Sequence, residues 1–110
     1  MNLDLPGVVA RYFEADRRRD PDAVIAQFTD DAAVTDEGQT RRGAAEILAW
    51  LRGPASQYQY TITLLGAETT GADTVLVTGR LEGNFPGGTA DLKWRFTLAG
   101  DRIRQLEIAP

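Results

Sequence analysis

The stretch Phe28-Thr29-Asp30-Asp31-Ala32-Ala33-Val34-Thr35-Asp36 decides the fold. Asp30-Asp31 is a polar break. The short strand predicted after it, residues 32–36, puts Ala32, Val34 and Asp36 on one face, because strand side chains alternate between faces. That places a carboxylate on the apolar side of a strand, which is costly unless the group is paired, protonated or put to use. Glu37-Gly38-Gln39 reads as a turn and Thr40 to Arg42 as a brief return strand.

Upstream of this stretch the period changes to that of a helix. Leu5, Val8, Val9, Tyr12, Phe13 and Ala15 recur at helical spacing, which predicts a helix from Leu5 to about Arg18 with Pro6 tolerated in its first turn. The run Asp16-Arg17-Arg18-Arg19-Asp20 ends it and reads as a solvated helix end, with its cations suited to the helix dipole. Asp20 as N-cap and Pro21 at the first helical position start a second helix over roughly 21–28, with Val24, Ile25 and Phe28 buried. Downstream, Gly43 opens a third helix with Glu46 three residues on as a capping acid. Ile47, Leu48, Trp50 and Leu51 form its apolar face, and Gly53-Pro54 stops it.

The second half is β. Tyr58 to Leu65 alternates strictly, with Tyr58, Tyr60, Ile62 and Leu64 on one face. Thr74 to Phe85 is a long strand, residues 84–88 a hairpin loop and Thr89 to Leu98 another strand, with Leu92, Trp94, Phe96 and Leu98 on one face. Ala99-Gly100-Asp101 turns into a last strand from Arg102 to Ala109. Helices followed by a strand meander predict an α+β domain spanning residues 1–110. A curved, mostly antiparallel sheet would carry the three N-terminal-half helices on its concave side. Such a sheet curls into a cone too wide at one end for side chains to fill, so a pocket is expected.

Composition narrows the chemistry. The chain has 110 residues, 43% of them hydrophobic and 25% charged, which suits one ordered domain. A net charge of −4 argues against nucleic acid or an anionic membrane as a partner. No apolar run approaches the roughly 20 residues needed to span a bilayer. Met1-Asn2-Leu3-Asp4 lacks the character of a signal peptide. One lysine, Lys93, against eleven arginines reads as a high-GC bacterial composition, and the expected location is the bacterial cytoplasm. There is no cysteine and no histidine, so thiolate, Ser-His-Asp and histidine-metal chemistry are excluded. No metal and no organic cofactor is expected, and acid–base work falls to Asp, Glu, Tyr, Lys or Arg.

Two residues stand out as candidates for catalysis. Asp36, if it faces an apolar pocket, has its pKa raised by burial and becomes a candidate general base. Its plainer role is to cap the Gly38 turn at the strand end. Tyr12, on the buried stripe of the first helix, could donate to an oxygen that gains charge in a reaction. Its plainer role is a core aromatic whose hydroxyl finds a backbone carbonyl. Phe28, Trp50, Leu92, Trp94, Leu106 and Ile108 are the expected pocket lining, suited to a small, flat apolar molecule. The outward sheet face, with its threonines and aromatics, is the expected contact of a homodimer.

The blocks Ala10-Arg11-Tyr12-Phe13-Glu14, Asp20 to Phe28, Phe28-Thr29-Asp30-Asp31-Ala32, Arg42-Gly43 and Trp94-Arg95-Phe96-Thr97 resemble the nuclear transport factor 2-like superfamily. Within it they are similar to the SnoaL-like polyketide cyclase and ketosteroid isomerase branch. The resemblance spans essentially the whole chain. It implies the cone-shaped fold and a pocket, but the fold hosts enzymes, binding modules and transport factors alike. By this resemblance Tyr12 matches the tyrosine that donates to the steroid enolate, and Asp36 matches the general base. They stand 24 positions apart, as in the isomerases. The function implied is an isomerase- or cyclase-like proton transfer next to a carbonyl, and the alternative is a non-catalytic module that binds a hydrophobic metabolite.

The sequence also departs from that pattern. The isomerases carry a protonated Asp as second oxyanion donor, and alignment on Arg95-Phe96 puts Leu92 there, while Asp91 faces the other way. Losing one such donor typically costs about 10²–10³ in rate. Dehydratases of the scytalone type need histidine. The Asp-Arg-Asp relay of limonene-type epoxide hydrolases finds only Arg80 and Glu82, with apolar Ile108 near the remaining position and Glu107 of opposite parity. Arg80 and Glu82 are expected instead as an ion pair on the outer sheet face.

Overall fold

In chain order the elements are α1 (Gly7–Arg17), α2 (Pro21–Ile25), β1 (Phe28–Asp36), β2 (Gln39–Arg42), α3 (Gly43–Arg52), a 3-10 turn (Pro54–Ser56), β3 (Tyr60–Thr69), β4 (Thr74–Gly83), β5 (Thr89–Ala99) and β6 (Arg102–Ala109). These come from a computed structural model that describes residues 5–110. Met1–Asp4, the stretch read for targeting, lies outside the described residues. The strands form one sheet in the order β2-β1-β6-β5-β4-β3. Neighbours are antiparallel except β1 and β6, which run parallel. The sheet curves without closing and carries the helices on one side, an α+β architecture as expected.

Local chemistry accounts for the breaks between elements. The Asp20 side chain accepts a hydrogen bond from the Ala23 amide at 3.2 Å and so caps α2. At the start of α3 the Glu46 carboxylate accepts from the Arg42 amide at 3.0 Å, half of a capping box. Gly43 has φ +85°, a conformation that a β-carbon would strain, and this lets the chain leave β2 and enter α3 with no connecting loop.

Several boundaries differ from the sequence expectation. Helix α2 ends at Ile25, not near 28, because β1 starts at Phe28, four residues ahead of the expected strand. Phe28 faces Ile103 of β6, and the register shifts between Phe28 and Ala33. The extension therefore includes an irregularity that the polar Asp30-Asp31 pair occupies. Tyr58 precedes β3, which begins at Tyr60 and continues past a register shift between Leu64 and Gly66 to Thr69. Strand β4 stops at Gly83, two residues short of Phe85.

Helix α1 buries Val8, Val9, Tyr12, Phe13 and Ala15 against the sheet. The Tyr12 ring meets Phe13, Phe28 and Phe96 edge-on, with centroids 5.1, 6.0 and 5.4 Å apart. Phe13 meets Trp94 in the same way at 5.4 Å. Edge-to-face contact puts the positive rim of one ring against the negative face of the next, so the cluster is held by geometry as well as by area. It fixes Tyr12 over the middle of the sheet. Gly79 lies under Trp94. A β-carbon there would stand 3.0 Å from Trp94 Cζ3 and 3.0 Å from the Thr63 carbonyl, so only glycine lets the indole lie against β4.

The outer face of the sheet is charged. Arg80 bonds Asp91 across β4 and β5 at 2.8 Å, and Arg95 bonds Glu107 across β5 and β6 at 3.1 Å. The expected Arg80–Glu82 pair is therefore replaced by Arg80–Asp91. The register sets Arg80 directly opposite Asp91, a relation that lies between strands and not along one.

Candidate active site

Between the helices and the concave sheet lies a cavity of about 570 Å³. Its wall takes Tyr12 and Asp16 from α1, Asp36 from the end of β1, Trp50 from α3 and Tyr60 and Ile62 from β3. Leu81, Leu92, Trp94 and Ile108 complete it from the other strands. Tyr58 and Phe85, edge to face at 6.2 Å, close another part of it. Most of this wall is apolar or aromatic. Among the described residues, no lysine or arginine lines it.

The alternation that brings Ala32 and Val34 into the core carries Asp36 to the cavity edge, where β1 ends. Its Oδ2 accepts a hydrogen bond from Trp50 Nε1 at 3.2 Å. Burial raises the Asp36 pKa above the ordinary carboxylate value. The Trp50 hydrogen bond opposes this, and a hydrogen bond from the Glu37 backbone adds a smaller lowering. The carboxylate stands on the cavity wall at the end of β1. Replacing Trp50 by Phe removes a donor that favours the charged form, so the Asp36 pKa should rise further. Any activity that needs ionised Asp36 should then move its acid limb to higher pH by less than about one unit. A pH–rate profile of the variant checks this, and an unmoved limb would mean that the bond has no such effect.

Tyr12 is 2% exposed, and its hydroxyl has no hydrogen-bond partner among the described residues. Among the described residues no fully buried polar side-chain atom lacks a partner, so that hydroxyl reaches the cavity surface. Burial pushes its pKa well up, with smaller contributions from Asp16, Tyr60 and Asp36. Tyr60 is pushed up to about 12, mainly by burial, then by Asp16. Both phenols therefore keep their protons and act as donors near neutral pH.

The cavity brings together Tyr12, Asp36, Trp50, Leu92, Trp94 and Ile108 of the expected set. It does not include Phe28 or Leu106. Phe28, 2% exposed, sits at the far end of β1 beneath the Tyr12 ring, and Leu106, 0% exposed, lies within the packed core. Both point inward as expected but at a depth the cavity does not reach. Leu92 puts an aliphatic chain on the wall, while neighbouring Asp91 faces outward to Arg80. Arg80 is itself on the outer face, so no Asp-Arg-Asp relay enters the cavity.

Asp16 and Tyr60 are the residues that sequence reasoning missed as site groups. Asp16 carries the largest shift of any carboxyl here, up to about 6, through burial that Arg19 only partly offsets. Its signal was present in the sequence: it stands four residues after Tyr12, on the same helix face. The flanking arginines made it read as part of a solvated run. Arg19 in fact lies over the Tyr60 ring, 5.2 Å from its centroid, with φ +54°. Among the described residues no cluster of three or more His, Cys, Asp or Glu has metal-binding geometry, and no helix is long and apolar enough to cross a membrane.

The model of the SnoaL-like domain family matches residues 9–106. A provisionally assigned polyketide cyclase from Sinorhizobium meliloti has a similar structure, with a TM-score of 0.90 at 38% identity over 96% of each chain. A protein of ketosteroid isomerase-like fold from Catenulispora acidiphila, solved in complex with trimethylamine, aligns with a TM-score of 0.85. It is 18% identical over 97% of this chain and 87% of its own, a likeness of fold alone. No curated protein matches the sequence.

Proposed function

The chain belongs to the SnoaL-like family of the NTF2-like superfamily, and from that membership we propose an isomerase- or cyclase-like enzyme that moves a proton α to a carbonyl of an apolar substrate. Asp36 is the general base and Tyr12 the donor to the oxygen that gains charge. The observation that carries this reading is a carboxylate with a raised pKa on the wall of the same apolar cavity as an unpartnered, protonated phenol. Removing a C–H proton leaves negative charge on the carbonyl oxygen. A donor already in place in a site of low polarity stabilises that charge without reorganisation.

The test follows solvent deuterium into the α-position of an apolar aryl methyl ketone by NMR. Wild-type protein should accelerate this exchange over buffer and over a boiled control. No acceleration across a panel of such ketones removes the enzymatic reading. Leu92 on the wall in place of a second acid favours the other reading, a module that binds a hydrophobic metabolite without turnover. Thermal shift with a lipophilic panel separates the two, because the binding module gives stabilisation without exchange.

We also propose a homodimer through the outer sheet face and a cytoplasmic location in a bacterium. Leu65, on the edge strand β3, is a large hydrophobic residue that is 50% exposed. Light scattering on the purified chain should give twice the monomer mass, and Leu65→Lys should shift the species towards monomer. A monomer in the wild type removes the dimer.

A further inference from the structure

Asp36 takes a proton in the proposed mechanism, which leaves two other carboxyls of the cavity wall unused: Glu37, next to Asp36 in the chain, and Asp16, on a different element. Asp16 lines the cavity and also a small adjoining recess that Arg19, Asp20 and Ser56 share. Its side chain is half-buried and has no hydrogen-bond partner among the described residues, so its carboxylate oxygens reach the surface of the cavity or recess. Asp16 and Asp36 each raise the pKa of Tyr12 and of Tyr60. Tyr12, Tyr60, Asp16 and Asp36 thus line one cavity.

We propose, resting on the reading of Asp36 as base, that Asp16 is a second catalytic residue that delivers a proton to a substrate oxygen in the cavity it shares with Tyr12 and Tyr60. The reaction class this pairing fits is addition of an enolate to a second carbonyl. The C–H bond α to the first carbonyl breaks and its proton goes to Asp36. The electron pair left behind forms a carbon–carbon bond to the second carbonyl carbon. The π pair of that carbonyl moves onto its oxygen, which takes the proton from Asp16. Asp36 ends protonated and Asp16 ionised, and one exchange of a proton with water restores both. An allylic shift needs no such partner, because the base returns the proton it took.

Electrostatics point the same way. No cation lines the cavity among the described residues, whereas Asp16, Asp36 and Glu37 all do, so an oxyanion forming there meets only like charge. A proton on Asp16 removes one of these negative charges. The phenols cannot replace it as acids, because burial holds their protons too tightly. Asp16 is faced by Tyr12 on its own helix, Arg19 and Asp20 at the helix junction and Tyr60 from β3. Of these Arg19 is the one that favours its charged form.

The test uses 1-phenylhexane-1,5-dione, an apolar diketone that can close a six-membered ring. Two rates are read on one sample: deuterium entry at the α-carbons, and formation of the cyclic aldol and its enone by absorbance. Wild type should do both. Asp16→Asn should lower the ratio of closure to exchange by about 10²-fold or more, the usual weight of a positioned acid. Wild-type closure should fall off above pH about 6, where Asp16 gives up its proton, and that basic limb should vanish in the variant. Asp16→Glu, which keeps an acid, should recover part of the closure, and a melting curve confirms that each variant is folded.

Equal closure in wild type and Asp16→Asn overturns the assignment. So does a parallel loss of exchange and closure in a folded variant, which marks a purely structural role. Exchange without closure in wild type also overturns it while leaving Asp36 as base. Absence of exchange in wild type removes both readings.

Discussion

Asp36→Asn is expected to slow α-proton exchange of a bound ketone by about 10³-fold, within the 10²–10⁴ that a positioned general base supplies. Asn keeps the shape of the side chain and an oxygen to accept the Trp50 indole N–H now bonded at 3.2 Å, so the local fold should survive. What it loses is the lone pair that accepts the proton. Burial raises the Asp36 pKa, which makes the carboxylate a stronger base than a free one. Wild-type exchange should therefore climb with pH through the raised Asp36 value and then level off, and the variant should show no such climb. NMR of the exchanging α-position across pH checks both. A variant within threefold of wild type would show that the proton leaves to some other group.

The sequence made the wall of the cavity legible wherever a local period set the face. Ala32, Val34 and Asp36 on β1, and Leu92, Trp94 and Phe96 on β5, point inward because alternation is a property of the backbone. It did not show depth. Phe28 and Leu106 have the same inward parity as Asp36 and Ile108, but the paired elements above them close the space. Depth depends on which strands are neighbours, and the parallel β1–β6 contact joins segments about 70 residues apart. The Arg80–Asp91 pair was hidden for the same reason, because its partner stands across a ladder. Asp16 was obscured differently. A run of three arginines dominates the local charge, and nothing in that run records that the helix rotates its aspartate inward and its cations outward.

That inward aspartate has a consequence for stability that involves no substrate. Its pKa, up to about 6 in the folded chain from 3.8, means that the native state binds more protons than the unfolded state between these values. Stability should therefore be greatest below pH 4, as far as Asp16 is concerned, fall as pH rises towards 6, and stay at the lower level above it. A shift of that size corresponds to about 3 kcal/mol as an upper bound, less whatever solvent in the cavity screens. Asp36, also raised, adds a loss of the same sign. Asp16→Asn removes the larger contribution, so its urea midpoint should exceed that of wild type at pH 7.5 and approach it at pH 4.5. Parallel pH dependences in the two proteins would mean that Asp16 is as well solvated when folded as when unfolded, and the case for it as an acid would lose its physical basis. A difference that opens as pH rises would show a carboxyl kept in the cavity against the stability of the fold, which is the pattern expected of a group retained for chemistry.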